Sequence, residues 1–202
     1  MVAVSAFDHV MLSRFFAWNK FRSGALNLQR LNRRKTETGA EMANKKTLKN
    51  LQKALSMELT AAHQYQLHSH VLDDWGIDRL ASQMREEMQE ELGHSDAFIE
   101  RILFLDGEPE LRFDKAPMRA QSLNDMFQAD LDDEKGAIKF YTEAARDAAE
   151  EGDIGSRVLF EKIALEEEGH MSWLDLKLNL ISRMGEPAYI AKHMSVSGEG
   201  GE

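Results

Sequence analysis

The sequence contains no cysteine. Disulfides, thiolate zinc sites and iron–sulfur clusters are therefore excluded, and any bound metal must be held by histidines and carboxylates. The same absence fits a cytoplasmic protein. Proline is scarce as well. Only Pro109, Pro117 and Pro187 occur, so residues 45–105 and 123–184 run without a helix breaker. No apolar run reaches about eighteen residues, and nothing in the sequence is expected to cross a membrane. Sustained alternation and Val/Thr-rich runs, the marks of strands, are missing too.

What is present is an ordinary globular composition, with 43% hydrophobic and 30% charged residues in 202 positions. One substantial core is expected. The formal charge of −10 is unevenly spread. Residues 1–41 carry seven Lys/Arg against three Asp/Glu, while residues 42–202 carry 18 against 32. An acidic body of this kind attracts cations and is a poor partner for nucleic acid.

The two breaker-free stretches each divide once, at Asp73, Asp74, Trp75 and Gly76 and at Glu151, Gly152 and Asp153. A glycine at such a point ends one helix and lets the next begin. Four long helices are expected, with 188–193 as a short fifth. The connection from Asp106 to Pro117 is longer than most helix–helix loops. One long crossover, between the second and third helices, marks a ferritin-like four-helix bundle.

Glu90, Glu91, Leu92, Gly93 and His94 return as Glu166, Glu167, Glu168, Gly169 and His170. The offset is 76 positions, and the same offset relates Glu58 to Glu134. Each half thus supplies one solitary Glu and one Glu-x-x-His, the donor set of a dinuclear iron or manganese site inside a bundle. All six fall within apolar stripes of helical spacing. These are Leu51, Leu55, Glu58, Ala62 and Tyr65; Leu80, Met84, Glu91, His94, Phe98 and Ile102; Phe127, Leu131, Glu134, Ile138 and Tyr141; and Ile163, Glu167, His170, Leu174 and Ile181. Four carboxylates facing a core must be protonated, paired or metal-bound. A single Glu-x-x-His on a charged helix face would be coincidence; two copies with matching lone glutamates point to metal.

From about residue 42 to 194 the chain resembles bacterioferritin. The resemblance is carried by the 55–65 stretch around Glu58, by Glu91 to His94 running into 100–105, and by 167–174. It implies that Glu91 and Glu167 bridge two irons, that Glu58 and His94 complete one, and that Glu134 and His170 complete the other. It further implies a ferroxidase that oxidises Fe(II) with dioxygen or peroxide and stores ferric mineral in a large hollow shell of many subunits. Tyr65 is similar to the family's tyrosine near the centre, an electron donor or a hydrogen-bond partner of a ligand; the plainer reading is a core tyrosine. Glu86 and Glu90 stand where the family places His and Asp for iron on the inner surface, although solvated helix charge accounts for either one alone.

One position departs from the family. Where a methionine would clamp haem at the subunit dyad, this chain has Leu92, whose side chain cannot ligate iron. Met88, one turn earlier, is better read as core packing. No haem b is expected in a homo-oligomer. A mixed shell with a haem-binding paralogous subunit is the alternative, in which this chain is mainly structural. The change also calls into question iron release through a bacterioferritin-associated ferredoxin. A di-iron oxidase acting on an organic substrate is a third reading, with no substrate pocket evident in the sequence.

Residues 1–41 read as a basic leader, either disordered or preceding a start at Met42, where the family's chains begin; targeting and partner binding are the other readings. Residues 195–202 are expected to be a disordered tail. His63, His68 and His70 are expected at solvated or interface positions rather than in a second metal site.

Overall fold

The computed structural model describes residues 45–195. The expected leader at 1–41 and all of the expected tail except Ser195 lie outside the described residues. Among the described residues five helices follow one another: α1 Lys45–Asp74, α2 Asp78–Phe104, α3 Leu123–Glu150, α4 Ile154–Met184 and α5 Glu186–His193. No strand occurs among the described residues.

The two hairpin turns are copies of one another at the 76-residue offset. At the first, the amides of Trp75, Gly76 and Ile77 bond to the carbonyls of Val71, Asp73 and Leu72; at the second, Glu151, Gly152 and Asp153 bond to Asp147, Ala149 and Ala148. Gly76 (φ 77°) and Gly152 (φ 73°) hold the left-handed conformation that closes each turn, which favours a residue without Cβ. Ser122 caps α3 by accepting from the Asp125 amide, and Asp153 caps α4 by accepting from that of Ser156 at 3.0 Å. Arg101, late in α2, pairs with Asp153 and donates to Ser156 Oγ at 2.8 Å, tying the second helix to the start of the fourth.

Which ends meet is read from the core. Late α1, early α2, early α3 and late α4 share one apolar cluster, with Leu72, Leu80, Phe127 and Leu174 among its members. Early α1, late α2, late α3 and early α4 share a second, containing Leu51, Phe98, Tyr141 and Phe160. Helices α2 and α3 are therefore parallel, and the chain must cross the length of the bundle between them. The apolar stripes face inward as expected, except that Ile138 is only half-buried and Ala137 takes the inner position. Helix ridges rotate slowly against a strict three-and-four pattern, so a neighbouring position wins.

Candidate metal centre

The polar members of the stripes lie between the two apolar clusters. Glu58, Glu91, His94, Glu134, Glu167 and His170 are all buried, and none is more than 8% exposed. Their donor atoms form two groups, each close enough to hold one metal ion: Glu58, Glu91, His94 and Glu167, and Glu91, Glu134, Glu167 and His170. Glu91 and Glu167 belong to both. His94 Nδ1 lies 3.2 Å from Glu58 Oε2 and 3.3 Å from both Glu91 Oε2 and Glu167 Oε1. His170 Nδ1 lies 2.9 Å from Glu167 Oε2, 3.3 Å from Glu91 Oε1 and 4.0 Å from Glu134 Oε1. Each shared carboxylate thus offers one oxygen to each histidine. The imidazoles stack with centroids 6.3 Å apart.

The charges show what this arrangement needs. Burial, and then the neighbouring Glu91, push the Glu58 carboxyl up to about 8. Burial, followed by Glu91 and Glu167, raises that of Glu134 well above the carboxylate range. Burial also raises Glu167, but the close imidazoles of His170 and His94 prevail and hold it below its ordinary value. Burial would make both histidines less basic. The carboxylates of Glu167, Glu58 and Glu91 overcome this for His94, and those of Glu167 and Glu91 for His170, so both are raised. Even so, Glu91 Oε1, Glu167 Oε2 and His170 Nδ1 are buried without an aligned hydrogen bond. Buried polar atoms left in this state, aimed at a common point, fit cations better than protons. Hard carboxylates with one imidazole per position suit iron or manganese.

The surroundings repeat the two-fold plan. Tyr65 is buried, and its hydroxyl donates to Glu134 Oε1 at 2.7 Å; the Tyr141 hydroxyl donates to Glu58. Each tyrosine therefore supports the lone glutamate of the opposite half. Tyr141 was legible only as a core residue, yet its 76-residue relation to Tyr65 was a signal for the pairing. On the outer side, Glu166 Oε2 is 3.4 Å from His94 Nε2, while Glu90 Oε2 is 3.5 Å from His170 Nε2. Glu90 and Glu166 are again 76 apart. Glu87, which the sequence did not single out, also approaches His170 Nε2 at 3.3 Å. Its counterpart is the buried Ile163, so the two halves are unequal there. Glu86 is exposed and belongs to none of the metal-capable groups among the described residues.

Leu92 is half-buried on α2, and Met88 packs against the first apolar cluster, in keeping with core packing. Of the three α1 histidines, His70 is exposed and His63 half-buried against Phe113. His68 corrects the expectation of a solvated or interface position, because it is 1% exposed and pairs with the buried Asp130. Asp130, half a bundle away in sequence, could not be seen as its partner.

A cleft of about 450 Å³ runs from Glu58, Glu91, Glu134 and Glu167 outward between α1 and α3, reaching Asp114 and Lys115 of the crossover. No described helix is long and apolar enough to cross a membrane.

Comparison with known proteins agrees with this fold. Residues 48–184 match the ferritin family as a ferritin-like domain. The chain is 40% identical over 145 residues to bacterioferritin of Rhodobacter capsulatus, covering 71% of this chain and 89% of the relative. It is 39% identical to that of Brucella melitensis over the same length and the same shares. A bacterial ferritin of Synechocystis is 40% identical over 150 residues, covering 73% and 96%. Among solved structures, Rhodobacter capsulatus bacterioferritin superposes with a TM-score of 0.74 at 36% identity, covering 77% of this chain and 97% of that one. That protein was solved with a metal-free dinuclear site and a haem iron in a crystallographic special position. The chain belongs to the bacterioferritin family of ferritin-like proteins.

Proposed function

We propose that this protein stores iron and acts as a ferroxidase, with Fe(II) bound as a pair inside each subunit. Glu91 and Glu167 would bridge the pair, Glu58 and His94 completing one position and Glu134 and His170 the other. The observation that carries the reading is the pair of metal-capable groups sharing Glu91 and Glu167. Bound Fe(II) supplies the electrons, one from each ion, that dioxygen or peroxide takes up. The residues do the rest. The carboxylates offset the charge of two cations in a site walled by apolar clusters. Tyr65 and Tyr141 orient Glu134 and Glu58 by hydrogen bonds, and Tyr65, beside Glu134, would be the residue to give an electron to the oxidant. The carboxylates of Glu166, Glu87 and Glu90 stand 3.3 to 3.5 Å from the outward Nε2 of the histidines and would favour a proton there, leaving Nδ1 for the metals.

Self-association into a large hollow shell, with mineral inside, fits the exposed apolar side chains of Phe104, Leu165 and Leu176. Leu92 offers no sulfur for haem iron. A mainly structural subunit paired with a haem-binding paralogue is not favoured, because all six donors converge.

The test is anaerobic addition of Fe(II) followed by air, with ferric absorbance recorded. Glu91→Ala, which removes a donor from both positions, is expected to drop oxidation to the protein-free rate. Undiminished oxidation in that variant would place the centre elsewhere.

A further inference from the structure

The crossover is held in an unusual way. None of residues 106–122 is buried except partially, and its large apolar side chains Leu111, Phe113 and Met118 are 69%, 47% and 74% exposed. Apolar contact, chiefly the Phe113 ring against His63, therefore fixes little of its path. A polar rail on α1 does more, beside the ion pair of Lys53 with Asp114. Gln52, Ser56, Thr60 and Gln64 recur every four residues, one helical turn apart on a single face. Gln52 exchanges two hydrogen bonds with the backbone of Glu110, at 2.6 and 2.9 Å. The Asp114 amide donates to the Ser56 carbonyl at 3.1 Å and to Thr60 Oγ at 2.8 Å. Gln64 then grips Met118 from both sides: Oε1 accepts from its amide and Nε2 donates to its carbonyl, both at 2.8 Å.

That grip has a fixed polarity, and residues behind it set the polarity. With Gln64 Oε1 committed to the Met118 amide, Nε2 faces both the Met118 carbonyl and His68 Nε2, the latter at 2.6 Å. His68 Nε2 must then accept, which leaves the proton on Nδ1, donated to Asp130 Oδ2 at 3.1 Å. Asp130 is 3% exposed and Gln64 8%. The chain Asp130, His68, Gln64, Met118 is consistent only in this direction; turning the Gln64 amide over would set like poles against both backbone groups of Met118. The segment so held carries Asp114 and Lys115, which line the cleft leading to the metal centre, and Lys115 is paired across it with Asp133 on α3. A second cleft, of about 700 Å³, lies on the other side of Lys115 and Asp133 and is lined by Gln64, His68 and Met118. The strap therefore has space beside it into which it can shift.

We propose that Asp130, His68 and Gln64 form a latch that positions the strap 110–118 over the passage to the metal centre, and so governs how readily Fe(II) enters. They are positioning residues, because none touches the six donors. The Lys115 ammonium stands in the path of a cation while the latch is closed. The entry effect rests on the site being the iron-oxidising centre; the latch itself does not.

The test uses the full chain, with amide hydrogen exchange followed by mass spectrometry alongside steady-state Fe(II) oxidation. Gln64→Leu is expected to speed exchange across 110–118 by about tenfold or more. It should also lower KM for Fe(II) at unchanged kcat, since entry changes and the centre does not. Asp130→Asn keeps an acceptor for His68 but drops the charge, and is expected to do the same to a smaller degree. His70→Gln, on the exposed side of α1, leaves both readouts at the parent values. Unchanged exchange in Gln64→Leu would overturn the latch. Faster exchange with a lost kcat and unaltered KM would overturn its role at the entrance. Cobalt(II) titration of the unaltered protein separates the premises: failure to bind two ions per subunit counts against the centre and leaves the exchange result standing.

Discussion

At the scale of single residues, the centre is a concentration of buried charge awaiting neutralisation. A metal ion entering it would have to displace its protons. Glu58 is raised to about 8 by burial and by Glu91, and both histidines are raised because surrounding carboxylates outweigh their burial. Ligation requires carboxylates and neutral imidazoles. Cobalt(II) affinity is therefore expected to climb between about pH 6 and pH 8, by more than tenfold, with net proton release. Calorimetry in buffers of different ionisation enthalpy measures both, and an affinity independent of pH over that range would contradict this account. The six buried residues of the candidate centre were legible in the sequence because helical spacing brings the Glu and His of Glu-x-x-His onto one face. Glu87 and Glu166 were not, because their role depends on which helix faces the outer edge of each imidazole.

At the scale of elements, the repeated turns and the Arg101 tie carry stability rather than chemistry. Asp153 caps α4 and holds Arg101; burial opposes its charge, but hydrogen bonds from Ser156 and the Arg101 guanidinium keep its carboxyl below the ordinary value. Asp153→Ala is expected to cost about 2 kcal/mol, since it removes a cap and leaves a guanidinium short of a partner. Because the folded value is depressed, that contribution is present above the unfolded value of about 4 and fades as pH falls through the folded one. Urea unfolding at neutral and acid pH checks this: the gap between variant and parent should shrink in acid, and a constant gap would point to lost packing instead. The helix ends were readable from Gly76, Gly152 and Pro187. The crossover's course was not, since its hold on α1 joins residues 54 and 58 positions apart.

For the molecule as a whole, the metal-free bundle trades stability for its site. A raised carboxyl means that the folded chain binds more protons than the unfolded one. Stability should then decline as pH rises from the ordinary value of 4.5 toward about 8, where Glu58 ionises in the fold. Bound cations remove that loss. Loading with metal is expected to raise Tm by several degrees at about pH 8 and by clearly less at about pH 6. Scanning calorimetry of both forms decides it, and an equal gain at both pH values would show that Glu58 and Glu134 do not carry the effect.

The sequence by itself determined the helical class, the four-helix plan with its crossover, and the two-fold set of Glu and His in the apolar stripes. Periodicity, breaker placement and a 76-residue repeat are local signals that survive without coordinates. Tertiary structure alone decided the pairing of Tyr141 with Glu58 and of His68 with Asp130, the unequal outer carboxylates, and the polar rail beneath the crossover. Each of these depends on the rotation of a helix about its own axis, which packing sets, and polar contacts of about 3 Å register that rotation where a hydrophobic pattern cannot.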